Sequence, residues 1–345
     1  MAPQEWLFYI VAFTTSFSIS LLTTPFAKKM SVKLGAIDYP KKRGLHNEPI
    51  PRMGGIAIVL GFLVSMIILI PFINELRTIQ FLGFLVGASI IVVLGMLDDV
   101  YNLNSKLKLS VQIVAALVVV YTGTRINVVM WPFSTYIGKF SVPITVVWII
   151  GVTNAVNLID GVDGLAAGVS SICAIFLTIL CILTGSPMAV VFTVAIAGSC
   201  LGFLPRNFNP AEVYMGDTGA TFLGYTLAVS SIMGVFKLYT LLAVLVAVLA
   251  MALPIIDTAF AMIRRALKGK PIMTADRGHL HHILIDKGYS QKQAVFILYA
   301  ISIATGSLSI IIAFRDFHAI LITFLFLIML LLMVYVYTKR VNKEN

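Results

Sequence analysis

Long apolar runs, repeated from one end of this chain to the other, leave it a single medium in which to fold. A helix needs about 20 residues to cross a hydrocarbon layer of about 30 Å. Eleven runs approach that size: 6–26, 54–73, 79–97, 107–123, 142–156, 165–183, 187–203, 218–234, 238–262, 294–314 and 319–338. With 59% hydrophobic and 12% charged residues over 345 positions, the composition excludes a soluble domain. The expectation is an all-α polytopic membrane protein of about eleven transmembrane helices. It forms one domain, 1–345, because the connecting segments are too small to fold separately. The first run lacks a basic stretch before it and a small-residue cleavage site, so it reads as a retained helix. Cys173, Cys181 and Cys200 lie inside apolar runs without metal-ligand spacing and read as packing residues.

Lys and Arg set the orientation. With the spans alternating, 27–53, 98–108, 157–164, 204–217, 263–293 and 338–345 share one side and carry 20 basic residues, against 5 on the other. This excess predicts an outside N-terminus and a cytoplasmic C-terminus, with those segments as cytoplasmic loops. The formal charge of +10 then belongs mostly to the cytoplasmic surface, where it attracts anionic headgroups and gathers a polyanionic substrate.

Five of the 15 acidic residues stand at the ends of apolar runs: Asp98, Asp99, Asp160, Asp163 and Asp217. A charge beside hydrocarbon costs several kcal/mol unless it is paired, hydrated or bound to a cation. All five fall on the predicted cytoplasmic side, which suggests one shared site, a divalent cation and phosphate chemistry.

Four constellations carry that chemistry. In Asp98-Asp99-Val-Tyr-Asn102-Leu-Asn-Ser-Lys106-Leu-Lys108, adjacent carboxylates favour a bound cation or one retained proton, and the lysines lie at headgroup level. In Asn154-Ala-Val-Asn157-Leu-Ile-Asp160-Gly-Val-Asp163-Gly, the three-residue spacing puts Asn154, Asn157 and Asp160 on one helical face. Their oxygens suit Mg²⁺ or a nucleobase edge. In Met215-Gly216-Asp217-Thr218-Gly219, Asp217 is either the cap of the following helix or a ligand beside a backbone that a diphosphate can approach. The fourth runs from Arg264-Arg265 to Arg277-Gly278-His279-Leu280-His281-His282; histidines this close cannot easily share one zinc, and donors around a nucleotide diphosphate are the better reading. The first cytoplasmic segment adds Lys41-Lys42-Arg43, His46 and Pro51-Arg52-Met53-Gly54-Gly55. Nothing suggests nucleic-acid recognition.

Taken together and in this order, these segments resemble the polyprenyl-phosphate N-acetylhexosamine-1-phosphate transferases over nearly the whole chain. The resemblance implies a single transmembrane transferase domain in a bacterial plasma membrane, with a cytoplasmic active site. There undecaprenyl phosphate attacks the β-phosphorus of a UDP-sugar, giving undecaprenyl-diphospho-sugar and UMP. It implies Mg²⁺ as cofactor, with Mn²⁺ as a substitute. By position, Asp217 looks like the principal metal ligand with Asn157 close by, and Asp98 and Asp99 look like the catalytic pair. Asp160, Asp163, Asn154, Arg277, His279, His281 and His282 look like nucleotide-sugar residues. Lys108, with Asn102, Lys106 and His46, would hold the lipid phosphate. The partners implied are UDP-N-acetylglucosamine, undecaprenyl phosphate and the lipid bilayer, with a homodimer as an allowed assembly.

The stretch Arg277-Gly278-His279-Leu280-His281-His282 stands where the MraY branch has three consecutive histidines. It looks nearer to the WecA and TagO branch, which implies UDP-N-acetylglucosamine as donor and the first step of an envelope glycan such as teichoic acid or O-antigen. The rival donor is UDP-MurNAc-pentapeptide. An ion-coupled transporter is the rival from another class, but such sites lie near the midplane between inverted repeats, whereas these acids collect at one face.

Overall fold

The computed structural model describes residues 3–40, 48–130, 134–136, 138–235, 241–267 and 278–314. Its helices in chain order are α1 Pro3–Leu34, α2 Gly55–Leu69, α3 Ile79–Tyr101, α4 Ser105–Tyr121, α5 Ser141–Ile159, α6 Leu165–Leu183, α7 Pro187–Asn207, α8 Gly216–Met233, α9 Leu241–Ala250, α10 Ala252–Leu267, α11 Leu280–Asp286 and α12 Gln291–Ala313. Two short antiparallel ladders accompany them, β1 Ile37–Asp38 with β2 Ile50–Pro51, and β3 Val128–Met130 with β4 Ser134–Tyr136. The protein is all-α and multi-pass. Among the described residues, six helices are long and apolar enough to cross a membrane: Glu5–Leu34, Ile79–Tyr101, Gly138–Ile159, Leu165–Leu183, Pro187–Asn207 and Gln291–Ala313.

Most expected spans coincide with helices, and three differences are instructive. The first span does not stop at residue 26: α1 continues through Lys28, Lys29 and Lys33 to Leu34, so the expected loop 27–53 begins as helix. The run 238–262 is divided at Met251 into α9 and α10, three residues before Pro254, which has no N–H to offer the Ala250 carbonyl. The short α11 lies within the expected loop 263–293. The run 319–338 falls outside the described residues.

Apolar helices in lipid gain little from burying apolar surface, so close backbone approach and interhelical hydrogen bonds must hold them together. α7 supplies the approach. A side chain at Gly198 or Gly202 would run into the backbone of Phe13 or Phe17 on α1. Beside this seam, Phe62 of α2, Phe84 of α3, Phe192 of α7 and Phe222 of α8 form a fully buried aromatic knot, with Phe84 and Phe192 centred 4.3 Å apart. Polar ties cross the same layers. Thr178 Oγ1 donates to Thr193 Oγ1 at 2.8 Å, and Trp148 Nε1 donates to Ser231 Oγ at 3.0 Å. On this scaffold the C-terminal ends of α3 and α5 meet the N-terminal ends of α4 and α8.

Candidate active site

The first, second and third acidic motifs converge at that end of the bundle. Lys108, one turn into α4, donates from Nζ to Asp98 Oδ2 on α3 and to Asp217 Oδ2 on α8, each at 2.8 Å. Asn157 near the end of α5 donates to the same Asp217 oxygen at 3.4 Å, and none of these bonds involves Asp217 Oδ1. Asp98 is 7% exposed, and its Oδ1 accepts from Leu103 N at 2.7 Å. That bond closes the turn after α3, where Asn102 adopts a left-handed φ of 51°. Lys108 and Asp217 each keep about a quarter of their side-chain surface open, so the ammonium group stands at an accessible mouth.

Asp99 faces the other way. At 3% exposure it accepts from Asp217 N at 2.9 Å, Thr218 N at 3.1 Å and Thr218 Oγ1 at 2.6 Å. A helix begins with N–H groups that have no partner within the helix, and Asp99 caps those of α8 from across the bundle. The capping role open to Asp217 is thus taken by Asp99, while the N-cap residue itself, Met215, makes no side-chain cap bond. Arg52 holds the pair from outside: Nε donates to Asp99 O at 2.8 Å, and Nη2 to Asn102 Oδ1 at 2.7 Å. The Pro51–Gly55 segment is sewn to 214–215 by Tyr214 N to Pro51 O, Gly54 N to Tyr214 O and Gly55 N to Met215 O.

Gly216 makes this close assembly possible. Its φ is +71°, and a Cβ there would strike the Arg52 carbonyl oxygen and come within 2.6 Å of Asp99 Oδ1. Left-handed backbone costs an L-residue about 1–2 kcal/mol before any clash is counted. Gly216→Ala is therefore expected to lose at least about 2 kcal/mol of stability, read as a lower thermal midpoint in detergent. A midpoint equal to that of the parent would contradict the turn described.

The second motif contributes from the loop after α5. Asp160 is half-buried as a residue and has no side-chain hydrogen bond among the described residues. Burial of its carboxyl and then the negative charges of Asp217, Asp99 and Asp163 push it up to about 8. Such a concentration of acid is relieved by a cation. Asp163 is occupied otherwise: its Oδ2 accepts from Asn209 Nδ2 at 2.9 Å and Ala211 N at 3.0 Å, tying this loop to the one before α8. Asn154 lies a turn inside the helix, where its amide donates to Gln112 Oε1 and the Ile150 carbonyl, both at 2.8 Å. This joins α5 to α4, away from Asp217.

The histidines reach the same region from α11. His281 is 2% exposed and seated on Gly161, where an added Cβ would come within 2.7 Å of its Nε2. Burial, then His282, pushes His281 down to about 4, so it is a neutral imidazole at neutral pH. The ring of His282 is centred 4.3 Å from that of His281. Lys106 is exposed at the first turn of α4. Arg277, His46 and the Lys41–Arg43 stretch lie outside the described residues. Sequence reading missed Asp257, Gln112 and the bracing role of Arg52. For Asp257 the signal was available, because it is an acid inside the apolar run 238–262.

A sequence profile of the family described as Glycosyl transferase family 4 matches residues 81–235, the stretch holding Asp98, Asp99, Lys108, Asn157, Asp160, Asp163 and Asp217. The chain is 38% identical over 304 residues to the "Probable undecaprenyl-phosphate N-acetylglucosaminyl 1-phosphate transferase" of Bacillus subtilis, covering 87% of this chain and 84% of that one. It belongs to glycosyl transferase family 4. Two further members extend the likeness. The "Decaprenyl-phosphate N-acetylglucosaminephosphotransferase" of Mycolicibacterium smegmatis is 30% identical, over 83% of this chain and 77% of its own length. The "Undecaprenyl-phosphate alpha-N-acetylglucosaminyl 1-phosphate transferase" of Escherichia coli is 26% identical, over 88% and 84%. In this family 4 member, the residues that meet at one end of the bundle come from both inside the matched stretch and beyond it: Arg52 precedes it and His281 follows it.

Proposed function

We propose that this protein transfers N-acetylglucosamine-1-phosphate from UDP-N-acetylglucosamine to undecaprenyl phosphate at the cytoplasmic face of a bacterial plasma membrane, as the first step of an envelope glycan. The products are undecaprenyl-diphospho-N-acetylglucosamine and UMP. The observation that carries the reading is the Lys108 ammonium held between Asp98 and Asp217 at an accessible mouth, beside Asn157. The names of the relatives supply the acceptor and the transferred N-acetylglucosaminyl 1-phosphate group.

An oxygen of the lipid phosphate forms the new bond to the β-phosphorus, and the bond from that phosphorus to the bridging oxygen breaks. UMP leaves with the electron pair. A phosphate monoester, with its second pKa near about 6, is already largely ionised at neutral pH, so position and charge neutralisation matter more than a strong base. In this reading Lys108 meets the lipid phosphate, and Asp98, which accepts from its ammonium group, orients it. Asp99 acts on the reaction by holding the start of α8 in place.

The donor set suits Mg²⁺. Asp217 has an oxygen outside the Lys108 and Asn157 bonds, and the Asp160 carboxyl has no hydrogen-bond partner among the described residues. No cluster of three or more His, Cys, Asp or Glu that could cage a metal occurs among the described residues. Mg²⁺ takes one or two carboxylates and completes its shell with water and substrate phosphate. Asp217, with Asn157 and Asp160, would hold it, and it would neutralise the charge that develops on the diphosphate.

The deciding assay is release of UMP by the purified protein from UDP-N-acetylglucosamine, dependent on both undecaprenyl phosphate and Mg²⁺. No release with both present would overturn the reading. The orientation has its own test in a background without Cys173, Cys181 and Cys200. Single cysteines at Asn104 and Lys287 are expected to react only from the cytoplasm, and those at Asn74 and Lys139 only from outside. Labelling at Asn104 by an impermeant reagent in intact cells would reverse the topology.

A further inference from the structure

Asp257 sits in the middle of α10 at 4% exposure, in a run that is otherwise apolar. A carboxylate there is costly unless both oxygens are satisfied, and both are satisfied by two consecutive residues of another element. Oδ2 is 2.8 Å from His279 Nδ1, and Oδ1 accepts from Leu280 N at 2.9 Å. A carboxylate only accepts, so Nδ1 carries the ring proton. Apolar residues would pack α10 against its neighbours at less cost than this pair. The acid therefore serves the segment it grips.

That segment leads to the donor side. His279 is 5% exposed and its ring lies parallel to that of His281, with centroids 5.8 Å apart and planes 5° from parallel. His281 rests on Gly161, next to Asp160. α11 has only seven residues, Leu280–Asp286, and its N-cap residue His279 makes no side-chain cap bond. Asp257 supplies that fixing instead, one bond to the backbone and one to the ring.

We propose that Asp257 is a positioning residue for the nucleotide-sugar side of the reaction: through His279 it sets the place of the histidine segment against the loop following α5. The proposal rests on the transferase reading for the identity of the donor. Asp257 has no hydrogen bond to Lys108, Asp98 or Asp217 among the described residues, and it acts only through His279 and Leu280.

The test uses the full chain with four variants: Asp257→Ala, Asp257→Asn, His279→Ala and the double Asp257→Ala/His279→Ala. Asp257→Ala is expected to raise KM for UDP-N-acetylglucosamine by about tenfold, the scale of losing one charge-assisted hydrogen bond, while KM for undecaprenyl phosphate stays unchanged. The double variant should lose less than the product of the two single losses, because the bond to the His279 ring is common to both and only the bond to Leu280 N is lost beyond His279→Ala. Asp257→Asn keeps the shape but presents an N–H₂ to Nδ1 and forces the opposite tautomer, so it is expected to fall between the parent and Asp257→Ala.

Equal changes in the two KM values, or single-variant losses that multiply in the double variant, would overturn the proposal. So would a defect that follows the thermal midpoint alone. Calorimetric titration of each variant with UDP-N-acetylglucosamine reads the donor side without turnover. A parent protein that binds this donor but releases no UMP refutes the transferase reading while still testing Asp257. A parent that does not bind it overturns both.

Discussion

Asp217→Asn is expected to lower kcat by about 10²–10³-fold, equivalent to about 2.7–4 kcal/mol of lost transition-state stabilisation. The carboxylate accepts from Lys108 and Asn157 at one oxygen. An amide of the same shape carries no charge to hold the ammonium group and is a poorer ligand for Mg²⁺. The fold should survive, because the Asp217 backbone N–H, and not its side chain, bonds to Asp99. UMP release at saturating substrates gives the rate, and a melt in detergent gives the stability. Turnover close to the parent's at ordinary Mg²⁺ would remove Asp217 from the centre of the reaction. A large fall in the thermal midpoint would mean that the side chain also supports α8.

Donor choice should show the second large effect. Turnover of UDP-N-acetylglucosamine is expected to exceed that of UDP-MurNAc-pentapeptide by at least about 100-fold in kcat/KM, roughly 2.7 kcal/mol of discrimination. His281 is buried against Gly161, and the start of α11 is held by Asp257, so the segment beside Asp160 is closely packed and tethered. A compact sugar suits such a closure, and a lactyl-peptide asks it to open. Parallel assays with the two donors measure the ratio. Equal or better use of the pentapeptide donor would reverse the assignment of substrate and leave the roles of Asp98, Lys108 and Asp217 untouched.

Much of this was legible in residue order, for a physical reason. Hydrocarbon admits few solutions, so apolar runs translate almost directly into helices, and acids at their ends are conspicuous against so little charge. The convergence of Asp98, Lys108, Asn157 and Asp217 follows from alternating spans. The division of labour between Asp98 and Asp99 does not. Adjacent residues on a helix point about 100° apart, and which one faces α8 depends on how Gly95 lets α3 approach, with Thr218 Cα within 2.5 Å of an added Cβ. The same holds for Asn154 and Asn157, which share a face by spacing and part company only because Gln112 of α4 lies opposite the deeper one. Asp257 is inconspicuous in the sequence because it sits inside a run and not at its end, and its partners lie on a segment 22 and 23 residues further on.

The contact between Asp99 and the first residues of α8 spans 118 positions of sequence. Membrane segments enter the bilayer in the order they are made, and a bacterial ribosome adds about 5–20 residues per second. Asp99 is consequently made about 6–24 s before the N–H groups that will satisfy it. For that interval Asp98 and Lys108 can hold each other but not Asp217, and no shortened product ending before α8 can assemble the centre. The Asp98–Lys108–Asp217 centre can close only once α8 has been made, and the grip of Asp257 on His279 and Leu280 only later still.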